Sequence, residues 1–250
     1  MKKILFWIVI ALLLFVTFII ALAPASAIFP WVTSKVPHLY VSEPAGTLWS
    51  TQISTVQYKH IKIDNISLDS NPLKLLLGRL NSTIDINDNS LKVSADIDLS
   101  SKQVVIQNAK YHVSGDWLTQ FLPPPIKNIS GEIFGTLIDA SVSSDKKINA
   151  LVGQGDWKAA VVEYPKYRLE LGDFKYRMEK LDDINARVTI EENTGPLDLK
   201  GHIDIGLDRT YQLQLNTKDD LPENLGRWLK VMGKQQNQRI YIEWKGTLPL

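Results

Sequence analysis

Leu91-Lys92-Val93-Ser94-Ala95-Asp96-Ile97-Asp98-Leu99 alternates apolar and polar residues without a break. On an extended backbone, Leu91, Val93, Ala95, Ile97 and Leu99 share one face, and Lys92, Ser94, Asp96 and Asp98 share the other. A period of two specifies a half-buried antiparallel strand. It excludes an amphipathic helix, whose apolar positions recur every three or four residues. Asp88-Asn89-Ser90 just upstream is a turn signal, and Leu80 to Ile86 reads as the other arm of a hairpin.

The same reading extends in both directions. Short alternating runs begin after Gly46 and include Ile53 to Tyr58 and Ile61 to Leu68. Val104 to Val113, Ile129 to Val142, Ala159 to Tyr164, Leu169 to Leu171 and Phe174 to Met178 continue the series. Ile184 to Ile190, Leu197 to Leu207, Tyr211 to Asn216 and Arg239 to Trp244 complete it. Helix signals are few and brief. Pro72 opens and Gly78 closes one around Leu73 to Leu77, Gly115 to Leu122 ends at Pro123-Pro124-Pro125, and Leu221 to Val231 is followed by Gly233. The expected fold is all-β, a mainly antiparallel sheet. Gly131, Gly135, Gly201 and Gly206 inside strands imply bends or bulges, and hence a curved sheet.

Part of the pattern comes round twice. Trp49 and Trp157 lie 108 positions apart, Tyr58 and Tyr164 106, and Gly135-Thr136-Leu137 and Gly246-Thr247-Leu248 111. Trp117 and Trp228 each sit on a short helix before the closing strand. One order at a nearly constant offset implies two tandem β repeats. The expected division is 1–27 cytoplasmic tip and anchor, 28–45 proline-rich linker, 46–142 first repeat and 143–250 second repeat.

Lys2 and Lys3 precede Ile4 to Ala23, a stretch with no charge whose 20 residues match the roughly 20 that span a hydrocarbon core as a helix. Ile4, Phe6, Trp7, Leu13, Phe18 and Leu22 would face lipid. The lysines put Met1 in the cytoplasm and everything beyond Pro24 across the membrane. A signal peptide cleaved after Ala25-Ser26-Ala27 is the alternative, and it exports the same chain. Pro30, Pro37 and Pro44 predict extended backbone from Ile28 to Pro44.

Chemistry is sparse. There is no cysteine, so no disulfide framework supports the exported fold. His38, His60, His112 and His202 have no metal-ligand spacing, and no phosphate loop, dinucleotide fingerprint or nucleophile elbow occurs. Asp85, Asn87 and Asn89 imitate the start of a calcium loop, but Ser90 and Asp96 stand where glycine and a bidentate glutamate belong. Asp64, Asp69, Asp96, Asp98, Asp182 and Asp183 fall at turns or on polar faces, where carboxylates are solvated. The seven tryptophans read first as core and second as partner anchors. A formal charge of +1 without a basic stripe gives no footprint for nucleic acid. No catalytic residue, cofactor or metal site is assigned.

An early Gly46-Thr47-Leu48-Trp49-Ser50 just past an anchor, Gly131 to Gly135-Thr136-Leu137, and a terminal strand into Gly-Thr-Leu resemble protein N of the type II, or general, secretion pathway. The family usually has glycine soon after that serine, and Thr51-Gln52 stand here instead. The resemblance implies a non-catalytic, single-pass inner-membrane protein with its bulk in the periplasm. It would be an accessory scaffold in the export of folded proteins across the outer membrane. Its implied partners are other secretion components, the inner-membrane platform and the periplasmic domains of the secretin. A second reading is a lipid-binding or lipid-bridging β-groove, since membrane-anchored curved β repeats also resemble the AsmA and TamB proteins. An exported hydrolase is the third, and it needs a convergent titratable cluster.

Overall fold

The computed structural model describes residues 7, 12, 15, 18, 19, 22–75, 77–122, 126–165, 167–221, 229 and 233–248. Its strands are β1 (Leu39–Ser42), β2 (Ala45–Gly46), β3 (Ser50–Tyr58), β4 (Ile61–Ser70), β5 (Arg79–Asn87), β6 (Leu91–Ser100), β7 (Gln103–Ser114) and β8 (Asn128–Ser143). They continue with β9 (Ile148–Glu163), β10 (Arg168–Lys180), β11 (Asn185–Asn193), β12 (Lys200–Gly206), β13 (Thr210–Lys218), β14 (Lys234–Gln236) and β15 (Arg239–Thr247). The protein is all-β, one large antiparallel sheet with a few short helices. Strands follow chain order from β3 to β13, then β15 and β14, with β1 and β2 both on β3. Such a meander needs only tight turns between neighbours, as the Asp- and Asn-rich connections predict.

The chain divides into two compact units, residues 1–89 with 96–100, and residues 90–95 with 101–250. In the first, Ile53 and Thr51 are buried on β3, and β3 pairs β4 from Ser50↔Asp69 to Tyr58↔Ile61. Pro72–Leu75 is helical, with Asn71 Oδ1 accepting from the Leu73 N–H, and Gly78 lies beyond it at φ +70°. In the second unit the core gathers Ala160, Leu169, Leu171, Phe174, Leu197, Leu199, Leu229 and Ile240. Ile240 and Thr217 are fully buried, and the Thr217 hydroxyl donates to the Leu197 carbonyl.

Three local readings change. Backbone expected to be extended from Ile28 to Pro44 is helical over Ala25–Lys35, with Pro30 inside, before β1 and β2 begin. One proline removes a single helical hydrogen bond, so it weakens a short helix without forbidding it. The runs read as separate strands at Ala159–Tyr164, Leu169–Leu171 and Phe174–Met178 are parts of β9 and β10. Bulges near Ala159 (φ +47°) and Gly172 (φ +75°) interrupt the period while the ladder continues. Conversely, Leu197 to Leu207 is not one strand. Asp198 takes φ +45°, so Leu197 and Leu199 are buried from a loop and the ladder starts only at Lys200.

The span Ile4 to Ala23 lies largely outside the described residues, and among those described no helix is long and apolar enough to cross a membrane. Most of Leu221 to Val231 lies outside them too.

Candidate functional site

The Gly46 to Ser50 motif is a turn and a fastening. Gly46 has φ +86°, and a Cβ there would sit 2.3 Å from the Ser50 carbonyl oxygen, so only glycine fits. Thr47 closes the turn. Its N–H donates to the Ser50 carbonyl (3.0 Å), and its Oγ1 accepts from the N–H groups of Trp49 (3.3 Å) and Ser50 (3.2 Å). The Thr51 hydroxyl, on a buried residue, donates back to the Thr47 carbonyl at 2.7 Å. The Leu48 N–H donates to the Ala23 carbonyl (3.0 Å), and Pro24 bridges Thr47. The motif thereby ties the end of the N-terminal segment to the first strands.

Of the proposed anchor residues, Ile4, Phe6 and Leu13 lie outside the described set. Trp7 and Phe18 are helical, Leu22 donates to the Phe18 carbonyl, and all three are exposed.

The second motif has a different cause. Gly131 takes φ +107° at a bulge between Ser130 and Glu132. Gly135 is in regular register, opposite Tyr111 on β7 and Gly155 on β9, and Gly155 in turn is opposite Tyr176 on β10. The two tyrosines lean over the two glycines and their hydroxyls meet at 2.9 Å. Aromatic side chains covering glycines on neighbouring strands restore packing that the missing Cβ would forfeit. Burial raises both phenolic pKa values. At Gly246, Tyr211 occupies the corresponding place, opposite it in register and 2.7 Å from where a Cβ would be.

These rows belong to an amphipathic face. Across β7 to β13 and β15, one row reads Tyr111, Gly135, Gly155, Tyr176, Ile190, Gly201, Leu215, Ile242. The parallel row reads Ala109, Leu137, Gly153, Met178, Val188, Ile203, Leu213, Trp244. The row between them points the other way and is polar throughout: Lys110, Thr136, Gln154, Arg177, Thr189, His202, Gln214, Glu243. On that polar side Arg187 grips Asp204 with two bonds (2.7 and 2.8 Å), which holds the Asp204 carboxyl below its usual range.

The apolar side opens into a cavity of about 360 Å³ lined by Ile133, Trp157, Leu171, Phe174, Tyr176, Val188, Ile190, Leu199, Ile203, Leu213 and Leu215, with His202 also contributing. Trp157 stacks on Phe174 at 5.6 Å and donates its indole N–H to the Ser130 carbonyl. The size falls within the range of small-molecule pockets, and the lining is what hydrocarbon selects. Of these groove residues the sequence singled out only Trp157, as core or partner anchor, and His202, as a histidine without metal-ligand spacing. The signal was the shared alternation of β10 to β13, which marks a face without saying that it is left open.

The carboxylates singled out earlier do not converge. Asp64 binds Lys62 and the Thr55 hydroxyl, Asp96 accepts from the Thr83 hydroxyl, Asp98 pairs with Arg79, and Asp182 accepts from the Ile184 and Asn185 N–H groups. His112 lies 2.6 Å from Glu132, with both side chains about half exposed. Among the described residues no cluster of three or more His, Asp or Glu could hold a metal ion.

A family model described as type II secretion system (T2SS), protein N, matches residues 37–242. The chain belongs to that family. The match contains both the Gly46 to Ser50 turn and the Gly131 to Leu137 strand segment. No curated protein and no solved structure matches the chain. As a protein N family member it is a component of the type II secretion system.

Proposed function

We propose that this protein N family member is a non-catalytic scaffold, held in the inner membrane by residues 4–23 with its bulk in the periplasm. It contacts the inner-membrane platform and the periplasmic domains of the secretin. The observation that carries the reading is the family match from residue 37 to residue 242. The amphipathic sheet and the scattered carboxylates are consistent with a binding module. Purification of the full chain from detergent-solubilised membranes recovers other secretion components, and its deletion impairs export. Recovery of none of them together with normal export refutes the reading. Tandem repeats at 46–142 and 143–250 remain part of this proposal, supported by the tyrosine that covers glycine in both Gly-Thr-Leu segments.

The groove favours a second reading, a lipid-binding module. Backbone N–H and C=O groups in its floor are engaged in the ladder, so the cavity between Trp157 and Leu215 offers hydrocarbon contacts and little else. A peptide strand laid there would bury unpaired amides, each at a cost of roughly 1–3 kcal/mol, whereas an acyl chain would not. Native mass spectrometry of the purified chain then shows bound acyl lipid, and its absence from a chain extracted in mild detergent counts against this reading.

A further inference from the structure

The connection from β4 to β5 holds apolar side chains out in solvent. Its ends are pinned: the Ser70 and Ser82 hydroxyls lie 2.7 Å apart, and the Asn71 N–H donates to the Asn81 carbonyl at 2.8 Å. Between them Leu73, Leu75 and Leu77 are 71, 48 and 78% exposed. Single exposed leucines are ordinary, whereas a group of them on one helical turn and its exit marks a contact surface. The turn is closed on itself. The Leu73 N–H donates to Asn71 Oδ1, the Leu77 N–H to the Lys74 carbonyl and the Gly78 N–H to the Leu75 carbonyl. Lys74 is exposed among the leucines, and the sequence has no carboxylate between Asp69 and Asp85.

These leucines stand beside the point where the N-terminal segment joins the first compact unit. The Leu48 N–H donates to the Ala23 carbonyl, and the Ser70 N–H donates to the Trp49 carbonyl at 2.6 Å. Ala23 and Ser70 therefore flank the Thr47 to Trp49 turn, about two strand spacings or ~10 Å apart. On this side β3 begins and β4 ends, with Ser50 opposite Asp69. The turn that joins the two strands, at Lys59 and His60, lies at the far end. The leucine turn extends beyond the ladder on the side of Ala23.

We propose that Leu73, Leu75 and Leu77 enter the periplasmic leaflet of the inner membrane as a second membrane contact. This rests on the reading that residues 4–23 span that membrane, which sets Ala23 at its periplasmic face. A surface element buries its apolar side about 5–10 Å into the boundary of headgroups and acyl chains. A turn that starts ~10 Å from Ala23 reaches that boundary. Lys74 sets its ammonium among the phosphates while its methylenes stay with the leucines. A partner strand would need free amide donors. Those of Leu73, Leu77 and Gly78 are already engaged, as entry into an apolar medium requires. The contact fixes how the first unit stands on the bilayer, where a lone span would let it swivel.

The absence of cysteine allows one probe per chain. Full-length Leu77→Cys is labelled with the polarity-sensitive dye NBD and reconstituted into vesicles of phosphatidylethanolamine and phosphatidylglycerol. Its emission shifts to the blue and is quenched by phosphatidylcholine spin-labelled near the top of the acyl chain. His60→Cys, at the opposite turn, shows neither effect. Leu12→Cys, within the N-terminal segment, is quenched and reports the span separately. Leu73→Glu with Leu75→Glu abolishes quenching at position 77 and leaves it at position 12, so the leucines and not the dye drive entry. Quenching at 12 without quenching at 77 overturns the proposal and leaves the span standing. So does a blue shift at 77 that spin-labelled lipid cannot quench, the sign of a protein contact, or quenching at 77 that survives both glutamates. Quenching at 77 without quenching at 12 overturns the span and keeps the leaflet contact, and quenching at neither overturns both.

Discussion

Gly155→Ala places one methyl group where Tyr111 and Tyr176 meet. Its Cβ falls 2.6 Å from the Tyr176 hydroxyl, 2.7 Å from the Tyr111 hydroxyl and 2.7 Å from the Phe134 carbonyl oxygen. The hydroxyls can swing aside, which gives up their 2.9 Å hydrogen bond at about 1 kcal/mol. The Phe134 carbonyl belongs to β8 and cannot yield without disturbing the ladder, and overpacking of that kind costs about 1–3 kcal/mol. A total loss of roughly 2–4 kcal/mol lowers the Tm of a unit this size by about 5–15 °C. Thermal unfolding of the full chain in detergent, followed by far-ultraviolet circular dichroism, measures it. The diagnostic experiment is the cycle with Tyr111→Phe and Tyr176→Phe together. In the parent, removing both hydroxyls costs about 1 kcal/mol; in the Gly155→Ala background it costs nothing or gains, because the clash goes with the bond. Strict additivity, or a Gly155→Ala loss below about 0.5 kcal/mol, refutes the packing argument.

Three other outcomes are expected. Tyr176, whose pKa burial raises, stays neutral in the fold while unfolded tyrosines ionise near pH 10, so stability falls as pH rises beyond about 10, and falls less in Tyr176→Phe; alkaline denaturation curves test this. Asp204, whose pKa Arg187 lowers, contributes about 1 kcal/mol above pH ~4 that disappears as pH drops through its folded pKa; Asp204→Asn removes the contribution at pH 7 and flattens that acid limb in denaturant titrations. Leu213→Glu, which puts a carboxylate into the groove, abolishes co-purifying acyl lipid in native mass spectrometry while the circular dichroism spectrum keeps its strand signature.

Strand identity was legible because one-face burial imposes alternation, and Leu91 to Leu99 carries it without interruption. Strand length was less so. Bulges at Ala159 and Gly172 slip the period by one and make continuous ladders look broken, whereas Asp198 breaks a ladder under an alternation that persists. The helix Ala25–Lys35 was hidden by Pro30, whose veto is weaker than a count of prolines implies. At the motifs, the sequence marked Gly46 and Gly135 alike. Only pairing separates them, Gly46 requiring a positive φ and Gly135 leaving room for Tyr111. The groove was the least legible feature. Val188, Ile203 and Leu213 read as ordinary inward residues, and nothing local to a strand reports whether another layer covers its apolar face.

The bond from Leu48 to Ala23 and the bridge from Thr47 to Pro24 have a mechanical consequence. They form a short circuit across the chain. Tension applied to the N-terminal segment enters the first compact unit at the hairpin between β2 and β3 and bypasses the helix Ala25–Lys35, while β1 stays paired with β3. While those two contacts hold, a pull on the N-terminal segment is borne by the turn at Thr47. Once they part, residues 25–38 pay out their slack before the pairing of β1 with β3 feels the force.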